Sequence, residues 1–266
     1  MLDDCSTDRS RELLSSYQRD PHVSHLILNE QNSGSTFQQW SRGLQLAQGE
    51  YVWIAESDDV AEADFMKVLV EHMEEAPDMV LAFSHSRLID REGNDMHVAW
   101  HKPIRQGTRL YDARQFVWKR MLTSNYVYNA SMALFRLTAY RKMKQDFSRF
   151  RYCGDWLFWA DLCLTEGKVA EVSSVLNNYR QHPTKVTFRA NDTGHGGQET
   201  AELLAMLADR LGMNTLQRRC LRGRSTKRMR ANGGSDILPQ LYPEIFGGTV
   251  TDIAIYEVGK WFGFLA

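Results

Sequence analysis

The sequence predicts an α/β fold in which a mostly parallel sheet carries helices on both faces. Short apolar segments such as 51–55 and 79–84 are rich in β-branched and aromatic residues and show little alternation, which is typical of strands covered on both faces. Segments with helical periodicity, such as 36–48 and 62–75, alternate with them along the chain. The 266 residues are 43% hydrophobic and 24% charged, which is the composition of a globular domain.

The predicted elements follow one another at short intervals, as expected for strands joined by crossover helices. Helices are predicted, in chain order, over 10–17, 36–48, 62–75, 111–122, 156–166 and 199–211. Strands are predicted over 23–28, 51–55, 79–84, 130–135 and 169–179. Gly49 ends the second helix and Pro77 stops the third, because glycine and proline are frequent just after helix ends. We predict one α/β domain over 1–188 and a mostly helical extension over 189–266.

Bulk properties exclude several classes of protein. The net charge of −1 argues against non-specific nucleic-acid binding by the whole chain. The four cysteines form no CxxC pair and no cluster with histidine, so neither a zinc site nor a disulfide framework is indicated. The sequence has no apolar run near the ~20 residues that span a bilayer, and its start lacks the basic and apolar regions of a signal peptide. These features predict a cytoplasmic protein.

An acidic run, Glu56-Ser57-Asp58-Asp59, directly follows the predicted strand 51–55. Ligands of parallel α/β sheets bind at the carboxyl ends of the strands, which is where this run lies. Neighbouring carboxylates raise one another's pKa unless a cation is present, and Mg²⁺ or Mn²⁺ binds to one or two carboxylates together with substrate phosphates. The alternative is that Asp58 and Asp59 cap the following helix, as aspartate often does. Spacing alone leaves both interpretations open.

Two further segments carry candidate functional side chains. Asp155, in Gly154-Asp155-Trp156, heads a predicted helix beside a tryptophan, where a raised pKa would suit a general base. The alternative is that Asp155 is a helix cap. Arg180 and His182 follow the predicted strand 169–179, where they either contact phosphate oxygens or a metal or are simply solvated.

Six short motifs, in their order and spacing, resemble family 2 of the inverting glycosyltransferases, which has the GT-A fold. They are the turn Asp3-Asp4-Cys5-Ser6-Thr7-Asp8, the loop residues Asn32 and Gly34, the helix end with Gly43, Ala47, Gly49, Glu50 and Tyr51, the acidic run Glu56 to Asp59, Gly154-Asp155-Trp156, and Tyr179 to His182. The resemblance covers Met1 to about Phe188. It implies a GT-A-type, Rossmann-like sheet without its first strand, followed by a C-terminal helical extension.

The resemblance implies a metal-dependent transfer of a sugar from a nucleotide-diphosphate donor to an acceptor hydroxyl, with inversion at the anomeric carbon. Asp155 is implied as the base that removes the proton of the acceptor hydroxyl. The partners implied are a nucleotide-sugar donor and a glycan or lipid-linked acceptor. The product is expected to be a surface polysaccharide or another glycan.

The resemblance also implies which residues hold the donor and the cofactor. The donor contacts are Asp3, Asp4, Asp58 and Arg180, with Asp3 and Asp4 at the nucleoside. The expected ligands of Mg²⁺ or Mn²⁺ are Asp59, Asp58 and His182. Glu56 is expected to lie next to these ligands without binding the metal itself.

Three internal positions depart from the family pattern. Glu56 replaces the aspartate that opens the acidic motif, and Gly154 replaces a frequent glutamate. Trp40-Ser41 stands where many members have Arg-Asn. A contact to the donor phosphate is therefore in question at this position. The start departs as well, because Met1 lies almost on the Asp-Asp turn and about one strand–helix–strand segment (~30 residues) of the family domain is absent. Since that strand lies inside the family's sheet, we expect a chain with this start to be poorly stable and to bind donor weakly.

The segment after residue 198 carries no motif that we can assign. Seven of the thirteen residues from Arg218 to Arg230 are basic. They either contact an anionic membrane surface at the inner face of the membrane or form the solvated face of a helix that packs on the catalytic domain. The apolar terminus 261–265 is expected to dock on this domain or on a partner.

Two other functions fit part of the sequence. A non-catalytic remnant, acting as a binding or interaction module, fits the short start, but retention of Asp58, Asp59 and Asp155 opposes it. A nucleotidyltransferase would carry a glycine-rich phosphate loop near the start, and this sequence has none.

Overall fold

The computed structural model describes residues 1–98, 107–181, 195–232 and 237–262. Its strands are β1 (Leu2–Asp3), β2 (Ile27–Leu28), β3 (Tyr51–Trp53), β4 (Val60–Ala61), β5 (Met79–Ile89), β6 (Thr108–Asp112), β7 (Ala133–Arg136) and β8 (Lys168–Arg180). Its α-helices are α1 (Ser10–Ser16), α2 (Thr36–Leu46), α3 (Phe65–Glu74), α4 (Ala113–Phe116), α5 (Leu137–Tyr140), α6 (Gly154–Cys163), α7 (His195–Arg210), α8 (Thr215–Ala231), α9 (Leu238–Leu241), α10 (Pro243–Phe246) and α11 (Val250–Gly259). Val117–Met121 is a π-helical turn, and 3₁₀ turns occur at Ala130–Met132, Phe147–Arg149 and Lys260–Phe262.

The central sheet has six strands in the order β3-β7-β5-β8-β4, with β6 paired to the first part of β8. The strands β3, β5 and β8 run in one direction, whereas β7, β4 and β6 run in the other. The short strands β1 and β2 form a separate parallel pair. The carboxyl ends of β3, β5 and β8 therefore lie at the same edge of the sheet.

The α/β class is confirmed, but the strand directions are mixed rather than mostly parallel. Within the described residues, β5–β8 is the one parallel pairing among the five pairings of the central sheet. The reason is that β7 inserts antiparallel between β3 and β5, two strands that would otherwise be parallel neighbours. Because β7 is antiparallel to β3, the residues just before β7 lie at the carboxyl end of β3.

Helices cover both faces of the sheet, as predicted. Successive residues of a strand point to opposite faces, and in β7 Leu134 packs with Phe65 and Leu69 of α3, whereas Phe135 packs on the other face. The ring centroids of Phe135 and Phe158 of α6 are 5.2 Å apart. Burying a side chain of this size contributes about 1.5–3 kcal/mol.

The C-terminal helices belong to the same packed core as α6. Ala201, Leu203, Leu204 and Leu207 of α7 are buried in the cluster that contains Phe158. The helical character predicted for 189–266 is confirmed for the described part, whereas the predicted boundary at residue 188 lies outside the described residues. The predicted connector at 191–197 lies outside them except for the start of α7.

Several predicted elements differ in extent. The helix predicted from residue 111 begins at Ala113, because Tyr111 and Asp112 end the unpredicted strand β6 and the Asp112 side chain accepts a hydrogen bond from Gln115 N at 2.9 Å, capping α4. The strand predicted over 23–28 is reduced to β2, whose partner β1 has two residues. Strand β4, also unpredicted, pairs with the last part of β8.

The basic residues of α8 are tied to the rest of the fold. Three arginines and a lysine pair with carboxylates: Arg218 with Asp209 (2.9 Å), Arg219 and Arg222 with Asp252 (2.7 and 3.0 Å), and Lys227 with Glu257 (2.6 Å). Arg228 donates to the carbonyl oxygen of Thr123. The ion pairs hold α8 against the other C-terminal helices, and the Arg228 contact supports packing of α8 on the catalytic domain. Membrane contact through this segment stays a prediction.

Candidate active site

The acidic turn (Glu56–Asp59) leaves the carboxyl end of β3 and is held by the residues before β7. Asn129 donates a hydrogen bond to Asp59 Oδ2 at 2.7 Å, and the backbone N–H of Arg180 donates to Asp59 Oδ1 at 3.0 Å. The N–H of Glu56 donates to Ser131 Oγ at 3.0 Å. Burial raises the pKa of Asp59 above its ordinary value, even though the hydrogen bonds that it accepts act in the opposite direction. The Asp59 carboxylate is therefore fixed and only partly solvated.

Arg180 fastens the acidic turn to the end of β5. Its Nε donates to the carbonyl oxygen of Asp58 at 2.8 Å, and its Nη1 donates to the carbonyl oxygens of Asp90 and Arg91 at 3.0 and 2.9 Å. The guanidinium thus donates hydrogen bonds to backbone carbonyl oxygens of two turns. Its predicted contact with a donor phosphate stays a prediction.

Glu56 points away from solvent toward α2. Its Oε1 accepts a hydrogen bond from Trp40 Nε1 at 3.1 Å, and Trp40 itself is buried. Burial, followed by the negative charge of Asp58, raises the pKa of Glu56 to about 7. Trp40 and Glu56, which both depart from the family pattern, therefore contact each other.

Asp155 lies in the first turn of α6. Its Oδ2 accepts a hydrogen bond from Asn125 Nδ2 at 2.8 Å, and its Oδ1 accepts one from the N–H of Trp156 at 2.7 Å. Burial raises the pKa of Asp155 to about 6, although these hydrogen bonds act in the opposite direction. The indole of Trp156 donates to the carbonyl oxygen of Met121 at 2.7 Å, which fixes the start of α6 against the chain that leads to Asn125.

Gly154 is required by the packing of α2 on α6. A Cβ at position 154 would lie 2.4 Å from Cδ2 of Phe37. The Phe37 ring cannot easily move, because it is buried and its centroid lies 5.4 Å from that of Trp40 in an edge-to-face contact. This explains why a larger residue cannot stand at position 154 in this chain.

Gly154→Ala is expected to destabilise the protein by about 1–3 kcal/mol, because an added methyl group in a filled core forces its neighbours to shift. The change in unfolding free energy can be measured by urea denaturation. In a double-mutant cycle with Phe37→Ala, the Gly154→Ala substitution should cost less than it does alone. An unchanged unfolding free energy in the single variant would show that Phe37 does not fill this space.

One segment, residues 125–131 (the bridging segment), holds both carboxylates. Asn125 contacts Asp155, and Asn129 contacts Asp59. Behind it, the buried Asn177 donates to Asn129 Oδ1 at 3.0 Å and to a serine of β5. Since the amides of the bridging segment are committed to fixed partners, the relative positions of Asp59 and Asp155 are coupled.

Tyr179, near the end of β8, responds to the charges of the acidic turn and of Asp155. Burial and then the negative charges of Asp59, Asp155, Glu56 and Asp58 raise its pKa. All four carboxylates therefore act on Tyr179 through their negative charge. The site therefore concentrates negative charge at the carboxyl end of β3.

Asp3 and Asp4 organise the turn after β1. The Asp4 carboxylate accepts hydrogen bonds from Asn29 Nδ2 (2.8 Å), from the N–H and Oγ of Ser33 (2.9 and 2.7 Å) and from Gln39 Nε2 (2.9 Å). Although burial opposes them, these hydrogen bonds lower the pKa of Asp4. Asp3 is buried and accepts from the N–H of Ser6 at 3.2 Å. Their predicted contacts with the donor nucleoside stay predictions.

Of the predicted metal ligands, the structure describes Asp58 and Asp59. His182 lies outside the described residues. Within the described ranges, no group of three or more His, Cys, Asp or Glu side chains is arranged to hold a metal ion. Asp58 and Asp59 could thus supply two carboxylates, and further ligands would have to come from elsewhere.

The sequence model described as "Glycosyl transferase family 2" matches residues 1–143, more than half of the chain. The chain is 31% identical over 103 residues to TuaG of Bacillus subtilis, a glycosyltransferase assigned to teichuronic acid biosynthesis, and 25% identical over 180 residues to the uncharacterized glycosyltransferase MJ1057 of Methanocaldococcus jannaschii. These alignments cover 39% and 68% of this chain, and 40% and 58% of the relatives, so the chain spans less than two thirds of either.

A crystal structure of residues 1–349 of S. aureus TarS, in complex with UDP-GlcNAc, superposes with a TM-score of 0.63 at 15% identity. The match covers 100% of this chain and 71% of that chain. It confirms the GT-A-type fold, with the C-terminal helices included. The family match over more than half of the chain identifies this chain as a member of glycosyl transferase family 2.

Proposed function

We propose that this protein transfers a sugar from a nucleotide-diphosphate donor to an acceptor hydroxyl, with inversion at the anomeric carbon, in the synthesis of a cell-surface polysaccharide. The assignment of TuaG to teichuronic acid biosynthesis supports the product class. The UDP-GlcNAc bound to TarS supports a nucleotide-sugar donor. The acceptor is then a glycan, free or lipid-linked. None of the described helices could span a membrane.

One observation carries this proposal: the bridging segment ties a carboxylate at the end of β3 to a carboxylate at the head of α6. Asp59 and Asp155 both influence Tyr179, and both are held by the bridging segment. A transferase needs one group at the leaving diphosphate and another at the attacking hydroxyl. Two fixed carboxylates in separate environments supply these two functions.

Asp155 is the base in this scheme. The acceptor oxygen attacks the anomeric carbon and forms the new glycosidic bond, while its proton passes to the Asp155 carboxylate. The bond between the anomeric carbon and the β-phosphate oxygen breaks, and its electron pair leaves with the nucleoside diphosphate. Because one displacement occurs without a sugar–enzyme intermediate, the configuration at the anomeric carbon inverts.

The acidic turn fits a divalent cation by its chemistry. The hard oxygen ligands of Asp58 and Asp59 suit Mg²⁺ or Mn²⁺, which commonly binds to one or two carboxylates and completes its shell with phosphate oxygens and water. Burial among like charges raises the pKa values of Asp59 and Glu56, so a cation here would relieve an unfavourable charge density. When bound, the cation would stabilise the negative charge of the leaving diphosphate. Glu56, held by Trp40, would orient the turn without binding the metal.

The proposed transfer can be tested by incubating the protein with UDP-, GDP-, CDP- and dTDP-sugars in the presence of Mn²⁺ and measuring release of the nucleoside diphosphate. At least one donor should be consumed, and proton NMR of the product should show the anomeric configuration opposite to that of the donor. A retained configuration would exclude the single displacement. The absence of both turnover and binding across the panel would contradict the proposed function.

The transfer rate should depend on pH through Asp155. A base must be deprotonated, and the pKa of Asp155 is raised to about 6. The value of kcat/KM for the acceptor should therefore fall as pH decreases through about 6 and level off above about pH 7. In Asp155→Asn the residual rate should lose this acidic limb. A limb of the same midpoint in that variant would assign the titration to another group.

A further inference from the structure

Glu199 of α7 makes an unusual set of contacts with the loop that leads into α6. Its carboxylate accepts three hydrogen bonds from consecutive backbone N–H groups, those of Arg151, Tyr152 and Cys153, each at 2.8 Å. Glu199 lies outside the segment 1–143 matched by the family. A charged acceptor strengthens such hydrogen bonds relative to a neutral one.

One of these contacts satisfies the N–H of Cys153 at the start of α6, whereas the other two hold the loop before it. The N-terminus of an α-helix leaves N–H groups without partners, and Cys153, the residue before α6, makes no side-chain capping hydrogen bond. A carboxylate near this end also interacts favourably with the helix dipole. Asp155 lies two residues after Cys153, so the path of the loop sets the position of its carboxylate.

A second C-terminal helix, α8, acts on Asp155 through the chain segment that contains Asn125. Arg228 of α8 donates to the carbonyl oxygen of Thr123, two residues before Asn125. Asn125 in turn donates to Asp155. Helices α7 and α8 thus hold both chain segments that contact this carboxylate.

We propose that Glu199 is a positioning residue for the base Asp155, and that the C-terminal helices complete the active site rather than forming an appendage. The inference rests on the proposed function, in which Asp155 accepts the proton. Glu199 does not contact the reacting atoms. It fixes the loop 151–153, and its charge also acts on Asp155.

Glu199→Gln tests the proposal in the full chain. The glutamine amide has the same size, but it replaces one of the accepting oxygens with an NH₂ donor that faces backbone N–H groups. We expect kcat to fall about 10–100-fold, since a displacement of about 1 Å can cost 10²-fold. The KM for the donor should change by less than about twofold, because the donor side of the site is untouched.

Glu202→Gln is the matched control. Glu202 lies three residues later on α7, where it pairs with Arg149 at the surface at 3.1 Å. This variant also removes one negative charge from α7, and its kcat should equal that of the wild type. A similar loss of kcat in both variants would overturn the role of Glu199.

The pH profile separates positioning from a purely structural effect. The titratable groups that act on or are influenced by Asp155 are Glu56, Tyr179, Cys153 and Glu199. Loss of the Glu199 charge should move the acidic limb of kcat/KM to lower pH, whereas Glu199→Asp, which keeps the charge, should leave the limb in place. Glu199→Asp should also retain more kcat than Glu199→Gln. If both variants match the wild type in kcat, the inference fails.

Amide hydrogen exchange tests the contact without reference to activity. In Glu199→Gln, and in Glu199→Asp if the former does not fold, the amides of Tyr152 and Cys153 should exchange faster, whereas they should be unchanged in Glu202→Gln. Unchanged exchange would overturn the inference. A wild-type protein with no turnover on any donor would refute the proposed function, while the exchange rates would still decide whether Glu199 holds this loop.

Discussion

Asp155→Asn is expected to lower kcat by about 10²–10⁴-fold, which is the usual contribution of a general base. The asparagine side chain cannot accept the proton of the attacking hydroxyl. It has the same size as aspartate and can keep the hydrogen bond from the N–H of Trp156, so the start of α6 should remain in place. The affinity for the nucleotide-sugar donor should therefore change by less than about twofold. Steady-state kinetics and a binding titration measure the two quantities.

Asp78→Asn serves as the control for this substitution. Asp78 pairs with Lys168 at 3.2 Å at the beginning of β5, the end of the sheet opposite the acidic turn. The control should have wild-type kcat. Turnover by Asp155→Asn within a few-fold of the wild type would refute the assignment of Asp155 as the base.

Asp59→Ala is expected to weaken metal-dependent binding of the nucleoside diphosphate by at least about 100-fold. Loss of a residue behind a metal ligand typically costs 10–100-fold in metal affinity or activity, and loss of a ligand should cost at least as much. The substitution also leaves Asn129 and the N–H of Arg180 without their acceptor. Equilibrium dialysis with UDP, GDP, CDP and dTDP in the presence of Mn²⁺ measures the effect.

The same dialysis in EDTA supplies the internal control. Without a divalent cation, wild type and Asp59→Ala should bind the nucleotides equally weakly. Equal binding in the presence of Mn²⁺ would show that Asp59 does not hold the cation. Asp78→Asn, which removes the partner of Lys168 at the beginning of β5, on the edge of the sheet opposite the acidic turn, should behave as the wild type.

The sequence predicted the positions of the acidic turn and of Asp155 correctly relative to the secondary structure. Glu56–Asp59 follows β3, and Asp155 heads α6, because apolar strand patterns and helix starts are local signals. The family match confirms the resemblance over residues 1–143, which include the acidic turn but not Asp155. The roles themselves stay predictions that the variants above would test.

The residues that hold these carboxylates carried no sequence signal. Asn125 and Asn129 lie in a segment without helical or strand periodicity, and their functions depend on β7 running antiparallel to β3. The predicted parallel sheet would have brought a different segment to this edge. A local pattern cannot show which strand inserts between two others, since that choice is decided by long-range packing.

The contact between Trp40 and Glu56 could not be predicted either, because each position was interpreted separately. Each departs from the family pattern, and nothing in the sequence alone connects them. In the fold, the longer Glu56 side chain meets the indole N–H of Trp40 at 3.1 Å. The two residues are 16 positions apart, and only the packing of α2 beside β3 brings them together. Glu199 was missed for the same reason, because its partners lie more than 40 residues earlier.

Calorimetric titration of UDP, GDP, CDP and dTDP into the wild-type protein, with Mn²⁺ and then with EDTA, tests the central claim most directly. The claim is that Asp58 and Asp59, at the carboxyl end of β3, bind the donor diphosphate through a divalent cation. It predicts that at least one nucleotide binds in Mn²⁺ and that EDTA abolishes this binding. Binding of equal strength in both conditions, or no binding of any of the four, would contradict it.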